Sequence, residues 1–243
     1  PPPPPPPPLL FSTPTPANAI ASCLVGSEMC IRDSFTEEEC DTLIDIAKQT
    51  EIKTGQIGNP SESSKKNEGT DDNRIRSSSV CWFTQDMMPA HIEQKIHDAM
   101  CLANEDTGWN FDIAYRQAYQ YTIYDAPETT KKDRGDFYTW HTDSGPERDD
   151  RNQLRKLSFT LQLSHPDDYE GGYFQWLESQ QVFDRMHDSP IVDVTNAIKT
   201  LPYSVKDKGS IFFFPSYVHH QVTPVTRGQR KSFVGWCVGN SYV

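Results

Sequence analysis

The sequence contains no run of about 18 consecutive apolar residues, so it offers no candidate for a membrane-spanning helix. It also lacks an excess of basic residues: 23 Lys and Arg stand against 34 Asp and Glu, which gives a formal net charge of −11. A strongly acidic chain is repelled by phosphate groups. The composition therefore argues against nucleic acid or an anionic membrane surface as a partner.

The six cysteines form no Cys-x-x-Cys pair and no regular framework. Reduced thiols in an intracellular protein are the simplest interpretation of such a pattern. The sequence also lacks the basic n-region and the unbroken apolar core of a secretory signal. We therefore expect a cytoplasmic protein.

Residues 1–34 differ in composition from the rest of the chain. Residues 1–8 are all proline, and a mixed tract of Pro, Thr and Ala follows them. The run CLVGSEMCIRDS at residues 23–34 resembles the translation of a transposase-type sequencing-library adapter; the alternative is a disordered Pro-rich tail. We predict that residues 1–34 are a non-native or disordered leader and that residues 35–243 form a single domain.

Two amphipathic helices are predicted in the first half of that domain. Thr36 and Glu39 have the spacing of a capping box, and apolar residues at helical spacing follow, so a helix is expected over residues 37–49. Pro89 leads a second predicted helix. Its apolar face consists of Ile92, Ile96, Ala99 and Ala103. Both helices are expected to support a sheet.

From residue 109 onward, short segments of β-branched and aromatic residues alternate with turn residues. Residues 157–163 alternate cleanly, with Ser158, Thr160 and Gln162 on one face, which indicates a strand with one wet face, at the surface or lining a cavity. Other predicted strands cover residues 79–83, 118–124, 136–143, 173–177, 210–214, 218–225 and 230–238. About eight short strands predict a sandwich or barrel, that is, a mainly β protein of the α+β class.

One pair of residues in the predicted strand 136–143 can bind a metal ion. Side chains two apart in an extended strand point to the same side, so His141 and Asp143 would offer a nitrogen and a carboxylate oxygen to one point. A third ligand would complete two histidines and one carboxylate. That set, with its other positions open, suits non-haem Fe(II).

The third ligand has to come from another part of the chain. Among the seven histidines, His219 and His220 are adjacent in a predicted strand. Neighbouring residues in a strand point to opposite faces, so only one of them can join His141 and Asp143. The spacing alone leaves both open.

Several segments together carry a family resemblance. His141-Thr142-Asp143 and the later run HQVTPVTRGQRKS at residues 220–232 resemble the 2-oxoglutarate- and Fe(II)-dependent dioxygenases, in particular the prolyl 4-hydroxylase-like branch with its PKHD-type hydroxylases. Residues 157–163, 167–172 and 209–215 match in kind and order, and the resemblance spans about residues 35–238. It implies a double-stranded β-helix (jelly-roll) core, Fe(II), 2-oxoglutarate as cosubstrate, O₂, and ascorbate as a reductant.

The resemblance also implies roles for individual residues. His220 becomes the third metal ligand, with His219 as the alternative. Arg230 would hold the distal carboxylate of 2-oxoglutarate, since its planar guanidinium presents two parallel N–H donors. Lys231 remains the alternative if the predicted hairpin of strands 218–225 and 230–238 shifts by one residue. The other residues implied or expected around the site are Tyr124, Ser232, Gln162 and Thr160 for the cosubstrate, and Tyr138 and Trp140 as walls.

The expected activity is hydroxylation of a C–H bond, with release of succinate and CO₂. The substrate is a peptide or a small molecule, with a peptidyl proline as the leading suggestion, and the sequence does not set the oligomeric state. Two long loops, residues 125–135 and 178–208, are expected at the mouth of the barrel. The rival hypotheses are a cupin-like metalloenzyme without 2-oxoglutarate and a non-catalytic jelly-roll binding module.

Overall fold

The structure is a computed structural model that describes residues 22–25, 29–33, 35–56, 72–130, 133–145, 148–178 and 197–240. Among these residues, no helix is long and apolar enough to cross a membrane. The predicted leader lies mostly outside this part of the chain, as do residues 57–71 and 179–196.

Two helices lie where the sequence predicts them. α1 (Glu37–Lys48) begins at the capping box, in which Thr36 Oγ1 accepts from the Glu39 amide at 3.2 Å and Glu39 Oε2 accepts from the Thr36 amide at 2.8 Å. These bonds satisfy amides that a helix N-terminus otherwise leaves unpaired. α2 (Ala90–Asp106) buries the predicted apolar face. A short third helix, α3 (Pro127–Thr130), follows later.

The described strands, in chain order, are β1 (Ser22–Val25), β2 (Met29–Asp33), β3 (Lys53–Thr54), β4 (Arg76–Ser77), β5 (Ser79–Phe83), β6 (Tyr115–Arg116), β7 (Tyr119–Asp125), β8 (Phe137–His141), β9 (Leu154–Gln162), β10 (Tyr169–Gly171), β11 (Phe174–Leu177), β12 (Ile198–Thr200), β13 (Ser210–Pro215), β14 (His220–Val222) and β15 (Val225–Gly239). One sheet has the order β1-β2-β13-β9-β15-β7-β5-β3, with β6 and β10 also paired to β15. The other has the order β12-β11-β14-β8-β4.

The two antiparallel sheets and the supporting helices confirm the predicted mainly β, jelly-roll fold. Two groups of buried residues fill it. The helix-side core packs α1 and α2 against the larger sheet, and includes Cys40, Leu43, Ile92, Ile96, Phe159, Leu161, Phe213 and Phe233. The inner core includes Tyr124, Tyr169, Phe174, Trp176, Phe212, Phe214, Val218, Val222 and Val225.

The predicted hairpin of strands 218–225 and 230–238 is wrong. β15 runs unbroken from Val225 to Gly239, and β14 pairs with β8 and β11 in the other sheet. The turn-like residues between them continue the strand because β10 pairs beside them, with Tyr169 opposite Gly228. Gly228 has φ +69°, a conformation that glycine adopts without strain.

The face of β9 that was predicted to be wet is buried. Ser158, Thr160 and Gln162 are each at most 5% exposed. Polar residues there face the interior of the barrel instead of solvent.

Part of the predicted leader has a described backbone. β1 pairs with β2, and β2 pairs with β13. Strand pairing does not test the origin of this segment, so its non-native character stays a prediction. Within the predicted loop 178–208, β12 is a strand, and residues 179–196 lie outside the described part of the chain.

Candidate metal centre and the pocket beside it

The predicted metal pair and His220 meet because two neighbouring strands bring them together. β8 and β14 pair in antiparallel fashion with His141 directly opposite His220. β8 ends at His141, so Asp143 lies in a bend after the strand and not within it, as alternation alone had predicted. The bend is fixed by the Asp143 amide, which donates to the Ser216 carbonyl at 2.9 Å.

The three side chains offer their ligand atoms to one small volume. One nitrogen or oxygen from each of His141, Asp143 and His220 lies within 4.8 Å of the others. His141 Nε2 is 3.8 Å from Asp143 Oδ1, and His220 Nε2 is 3.7 Å from Asp143 Oδ2. His219, the alternative ligand, is outside this group.

The protein also fixes which nitrogen of each histidine faces that volume. His141 Nδ1 lies 2.7 Å from the Thr139 carbonyl oxygen, and His220 Nδ1 lies 2.9 Å from that of Val218. A carbonyl only accepts, so each Nδ1 donates to it, which leaves each Nε2 as the nitrogen that faces the shared volume. A hydrogen bond from the ring nitrogen that faces away from the metal is typical of histidines that bind metals.

Electrostatics favour the same state of the ligands. Burial, reinforced by the neighbouring His220, holds the pKa of His141 well below 6.5, so the ring stays neutral. Burial alone would raise the pKa of Asp143, but the two histidines and Arg155 lower it, so the carboxylate stays charged. Two imidazole nitrogens and one anionic oxygen form the donor set that suits non-haem Fe(II).

Aromatic rings hold the two histidines in place. Tyr138 stacks on His141 with ring centroids 3.5 Å apart, and Phe174 stacks on His220 at 5.2 Å. Burial raises the pKa of Tyr138 to about 12. Tyr138 is therefore a neutral wall of the site. Trp140, the other predicted wall, is partly buried.

A second group of buried polar residues lies on the larger sheet, around Arg230, and contains five of the predicted residues; we call it the Arg230 pocket. Arg230 is 1% exposed; it donates from Nη2 to Gln162 Oε1 at 3.1 Å and from Nη1 to Ser232 Oγ at 3.4 Å. Tyr124 lies opposite Arg230 on β7, with the guanidinium carbon 5.5 Å from its ring centroid. Thr160 is buried two residues from Gln162.

Arg230, and not Lys231, faces this pocket. The two residues point to opposite sides of β15, where Arg230 is buried and Lys231 is only partly so. Arg230 Nε is buried and has no hydrogen-bond partner among the described residues. An unpaired buried donor on a cation with only neutral partners fits a carboxylate ligand, which is what 2-oxoglutarate would supply.

Sequence reasoning missed two arginines at the centre. The Arg76 guanidinium lies 4.7 Å from the centroid of the Tyr138 ring and donates to Gln120 Oε1 at 2.8 Å. The Arg155 guanidinium carbon lies 4.0 Å from the centroid of the Trp236 ring, and its positive charge interacts with the Asp143 carboxylate. A single arginine beside a polar loop carries no signal in the sequence, because its burial depends on the sheet that covers it.

Comparison with known proteins matches residues 119–238 to the 2OG-Fe(II) oxygenase superfamily. A PKHD-type hydroxylase of Hyphomonas neptunium is 41% identical over 103 residues, 42% of this chain and 38% of the relative. A PKHD-type hydroxylase of Synechococcus sp. strain CC9605 is 32% identical over 114 residues, 47% of this chain and 41% of the relative. The matches thus span about two fifths of the length of these relatives.

Solved structures show the same fold at low sequence identity. A prolyl-4-hydroxylase of Pseudomonas putida superposes with a TM-score of 0.55 and 17% identity, covering 88% of this chain and 94% of that one. A prolyl hydroxylase of Trichoplax adhaerens, in complex with a peptide fragment of the hypoxia inducible factor oxygen degradation domain, gives a TM-score of 0.59 and 17% identity, covering 87% and 83%.

Proposed function

We propose that this protein, whose residues 119–238 match the 2OG-Fe(II) oxygenase superfamily, hydroxylates a C–H bond with Fe(II), O₂ and 2-oxoglutarate, and that its substrate is a prolyl residue of a peptide. The observation that carries the proposal is the convergence of His141, Asp143 and His220 within 4.8 Å. The neutral state of His141 and the charged state of Asp143 support it.

Two groups of residues have separate roles in the proposed reaction, one in binding the metal and one in binding the cosubstrate. His141, Asp143 and His220 would hold Fe(II), which when bound supplies the oxygen chemistry that couples decarboxylation of 2-oxoglutarate to hydroxylation. Arg230 would bind the far carboxylate of the cosubstrate. Its partners Gln162 and Ser232 are neutral, so they orient the guanidinium without cancelling its charge.

A prolyl hydroxylase of the same fold was solved with a bound peptide fragment, which supports a proline-containing peptide as the substrate. Two aromatic rings stand beside the centre: Tyr138 stacks on His141 and lies under Arg76, and Trp236 lies under Arg155. Trp236 Nε1 is a buried donor without a partner among the described residues, and the Arg155 guanidinium lies over the same indole. Trp236 lies opposite Ser158 on the next strand, and Ser158 hydrogen bonding lowers the pKa of Asp143, which links this wall to the centre. The indole N–H of Trp236 and the guanidinium of Arg155 are both suited to donate to peptide carbonyls.

A succinate-release screen tests the proposal. Proline-containing peptides and free amino acids are incubated with the protein, Fe(II), 2-oxoglutarate and ascorbate, with His141→Ala as the blank. We expect succinate and a hydroxylated product above the blank. Succinate formation that survives in His141→Ala would contradict the assignment of the centre.

The rival functions give different results in two further measurements. A cupin-like metalloenzyme without 2-oxoglutarate would lose no activity in Arg230→Ala, whereas we expect 2-oxoglutarate turnover to disappear. A non-catalytic module would show no charge-transfer absorption when Fe(II) and 2-oxoglutarate are added without oxygen. We expect that band in the wild-type protein and its loss in Asp143→Ala.

We further propose that the segment between β11 and β12, part of the predicted loop 178–208, sets substrate choice. Its described ends are adjacent, since the Glu178 amide donates to the Ala197 carbonyl at 3.1 Å. A deletion of residues 181–194 with a short Gly-Ser closure therefore leaves both strands in place. We expect 2-oxoglutarate turnover without substrate to persist and peptide hydroxylation to fall. Unchanged use of the peptide would contradict the role of this loop.

A further inference from the structure

A second buried cation lies behind the Arg230 pocket. Lys206 ends a turn of 3₁₀ helix, Tyr203–Lys206, and is 7% exposed. Its ammonium lies 4.2 Å from the centroid of the Tyr173 ring and 4.6 Å from that of Tyr169, and it donates to the Gly171 carbonyl at 3.3 Å. Among the described residues, no carboxylate pairs with it.

Tyr169 lies between this lysine and Arg230. It is 2% exposed, and its buried hydroxyl lies beside the Arg230 guanidinium; a guanidinium only donates, so the phenol O–H has no acceptor among the described residues. A Cβ at Gly172 would lie 2.9 Å from Arg230 Cδ and 3.5 Å from Tyr169 Cε2, so the two side chains meet at this glycine. The phenol group is thus an unused donor at the edge of the Arg230 pocket.

The local charge balance is unusual for a protein interior. Arg230 and Lys206 are both buried, and neither forms an ion pair within the described chain. Burial, and then the positive charge of the nearby Arg230, lower the pKa of Lys206. Buried charges normally have a counter-charge. A dianionic ligand would supply the missing counter-charge with its second carboxylate.

We propose that Tyr169 and Lys206 complete the carboxylate subsite of Arg230: the Tyr169 hydroxyl donates to the bound carboxylate, and Lys206 adds a second positive charge behind the Tyr169 ring. The proposal rests on the assignment of Arg230 to the cosubstrate. A cation over the face of a phenol withdraws electron density from it and strengthens its O–H as a donor. Lys206 is held off the ligand by the rings and is a positioning residue. The subsite accordingly favours 2-oxo acids that carry a second carboxylate.

Equilibrium binding to the Zn(II)-loaded protein, measured by calorimetry, tests this without any turnover. Two ligands are compared: 2-oxoglutarate, and 2-oxopentanoate, which lacks the distal carboxylate. We expect Tyr169→Phe to weaken 2-oxoglutarate binding about 10-fold or more, and Lys206→Met about 3- to 10-fold. Binding of 2-oxopentanoate should change less than 2-fold in both variants, and Lys206→Arg should restore most of the affinity.

Lys231→Met is the matched control, because it removes the same charge from the residue next to Arg230 on the opposite face of β15. We expect it to bind 2-oxoglutarate as the wild type does. If Tyr169→Phe and Lys206→Met bind 2-oxoglutarate normally while Arg230→Met does not, the inference is overturned and the proposed function stands. If Arg230→Met also binds normally, the cosubstrate assignment itself fails. Equal losses for both ligands would indicate a structural role and overturn the inference.

Discussion

The helix-side core and the inner core exclude solvent equally well but differ in what they bury. The helix-side core, under α1 and α2, consists of aliphatic and aromatic side chains with a few tyrosines and thiols. The inner core surrounds His220, Arg230, Gln162 and Ser232, all at most 5% exposed. Burial therefore does not distinguish the functional region. The functional region is distinguished instead by buried polar groups whose hydrogen bonds and charges the chain itself only partly balances.

Two strands serve both regions at once. On β9, Phe159 and Leu161 join the helix-side core, while Thr160 and Gln162 face the interior of the barrel. On β15, Phe233 packs towards the helices and Ser232 towards Arg230. Because side chains alternate along a strand, one sheet separates a packing surface from a chemical one. Mutations in the helix-side core and in the inner core test this difference between a packing surface and a chemical one.

The largest effect is expected at the metal centre of the inner region. Asp143→Ala removes the one anionic ligand and should reduce succinate formation at least about 1,000-fold, since the metal contributes several kcal/mol to the transition state. Iron content after dialysis and succinate release measure the two consequences separately. Asp150→Ala, which removes a carboxylate from the following loop, should retain both. Normal iron content in Asp143→Ala would contradict the assignment.

The next largest effect is expected in the helix-side core, where a mutation should change the free energy of unfolding but not the activity. Ile92 is fully buried on α2, so Ile92→Ala should lower the free energy of unfolding by about 2–5 kcal/mol through lost burial and the cavity left behind. Urea denaturation measures it, with Ile52→Ala as the control, since Ile52 is 48% exposed and should change stability by about 0.5 kcal/mol or less. Turnover per folded molecule should be unchanged; a fall in turnover at a temperature where the variant is folded would show that the two regions are coupled.

A smaller loss is expected for the cosubstrate. Arg230→Met should weaken 2-oxoglutarate binding about 10- to 100-fold, because it removes charge-assisted hydrogen bonds worth roughly 1.5–3 kcal/mol. The dissociation constant for the Zn(II)-loaded protein is the measurement. Lys231→Met should leave it unaltered, and a reversed result would favour the lysine as the anchor.

The sequence predicts the parts of this molecule whose signals are local. The capping box at Thr36 set the start of α1, and the spacing of Ile92 and Ile96 set the buried face of α2. The convergence of His141 and His220 depends on two strands 79 residues apart (220 − 141) becoming neighbours, and only the family resemblance pointed to it.

The misses have a common physical cause. The Thr226–Gln229 segment has the composition of a turn, yet it continues β15 because β10 pairs beside it. The burial of Arg76 and Lys206 likewise comes from elements that pack over them from distant parts of the chain. Local propensity contains no information about such contacts, and they overrule it.

The smallest expected effect is the one that separates the two regions most sharply. Arg230→Met exchanges a fully buried side chain, as Ile92→Ala does, yet the free energy of unfolding without ligand should change by no more than about 1 kcal/mol. The hydrogen bonds lost to Gln162 and Ser232 are offset by removal of a buried charge that has no counter-charge. At 2-oxoglutarate concentrations of about 100 times its dissociation constant, the Zn(II)-loaded wild-type protein should gain about 2.7 kcal/mol and the variant far less. Urea denaturation with and without the ligand measures both quantities. A loss of more than about 2 kcal/mol without ligand would mean that Arg230 is part of the packing, and the distinction between the two cores would fail at its central residue.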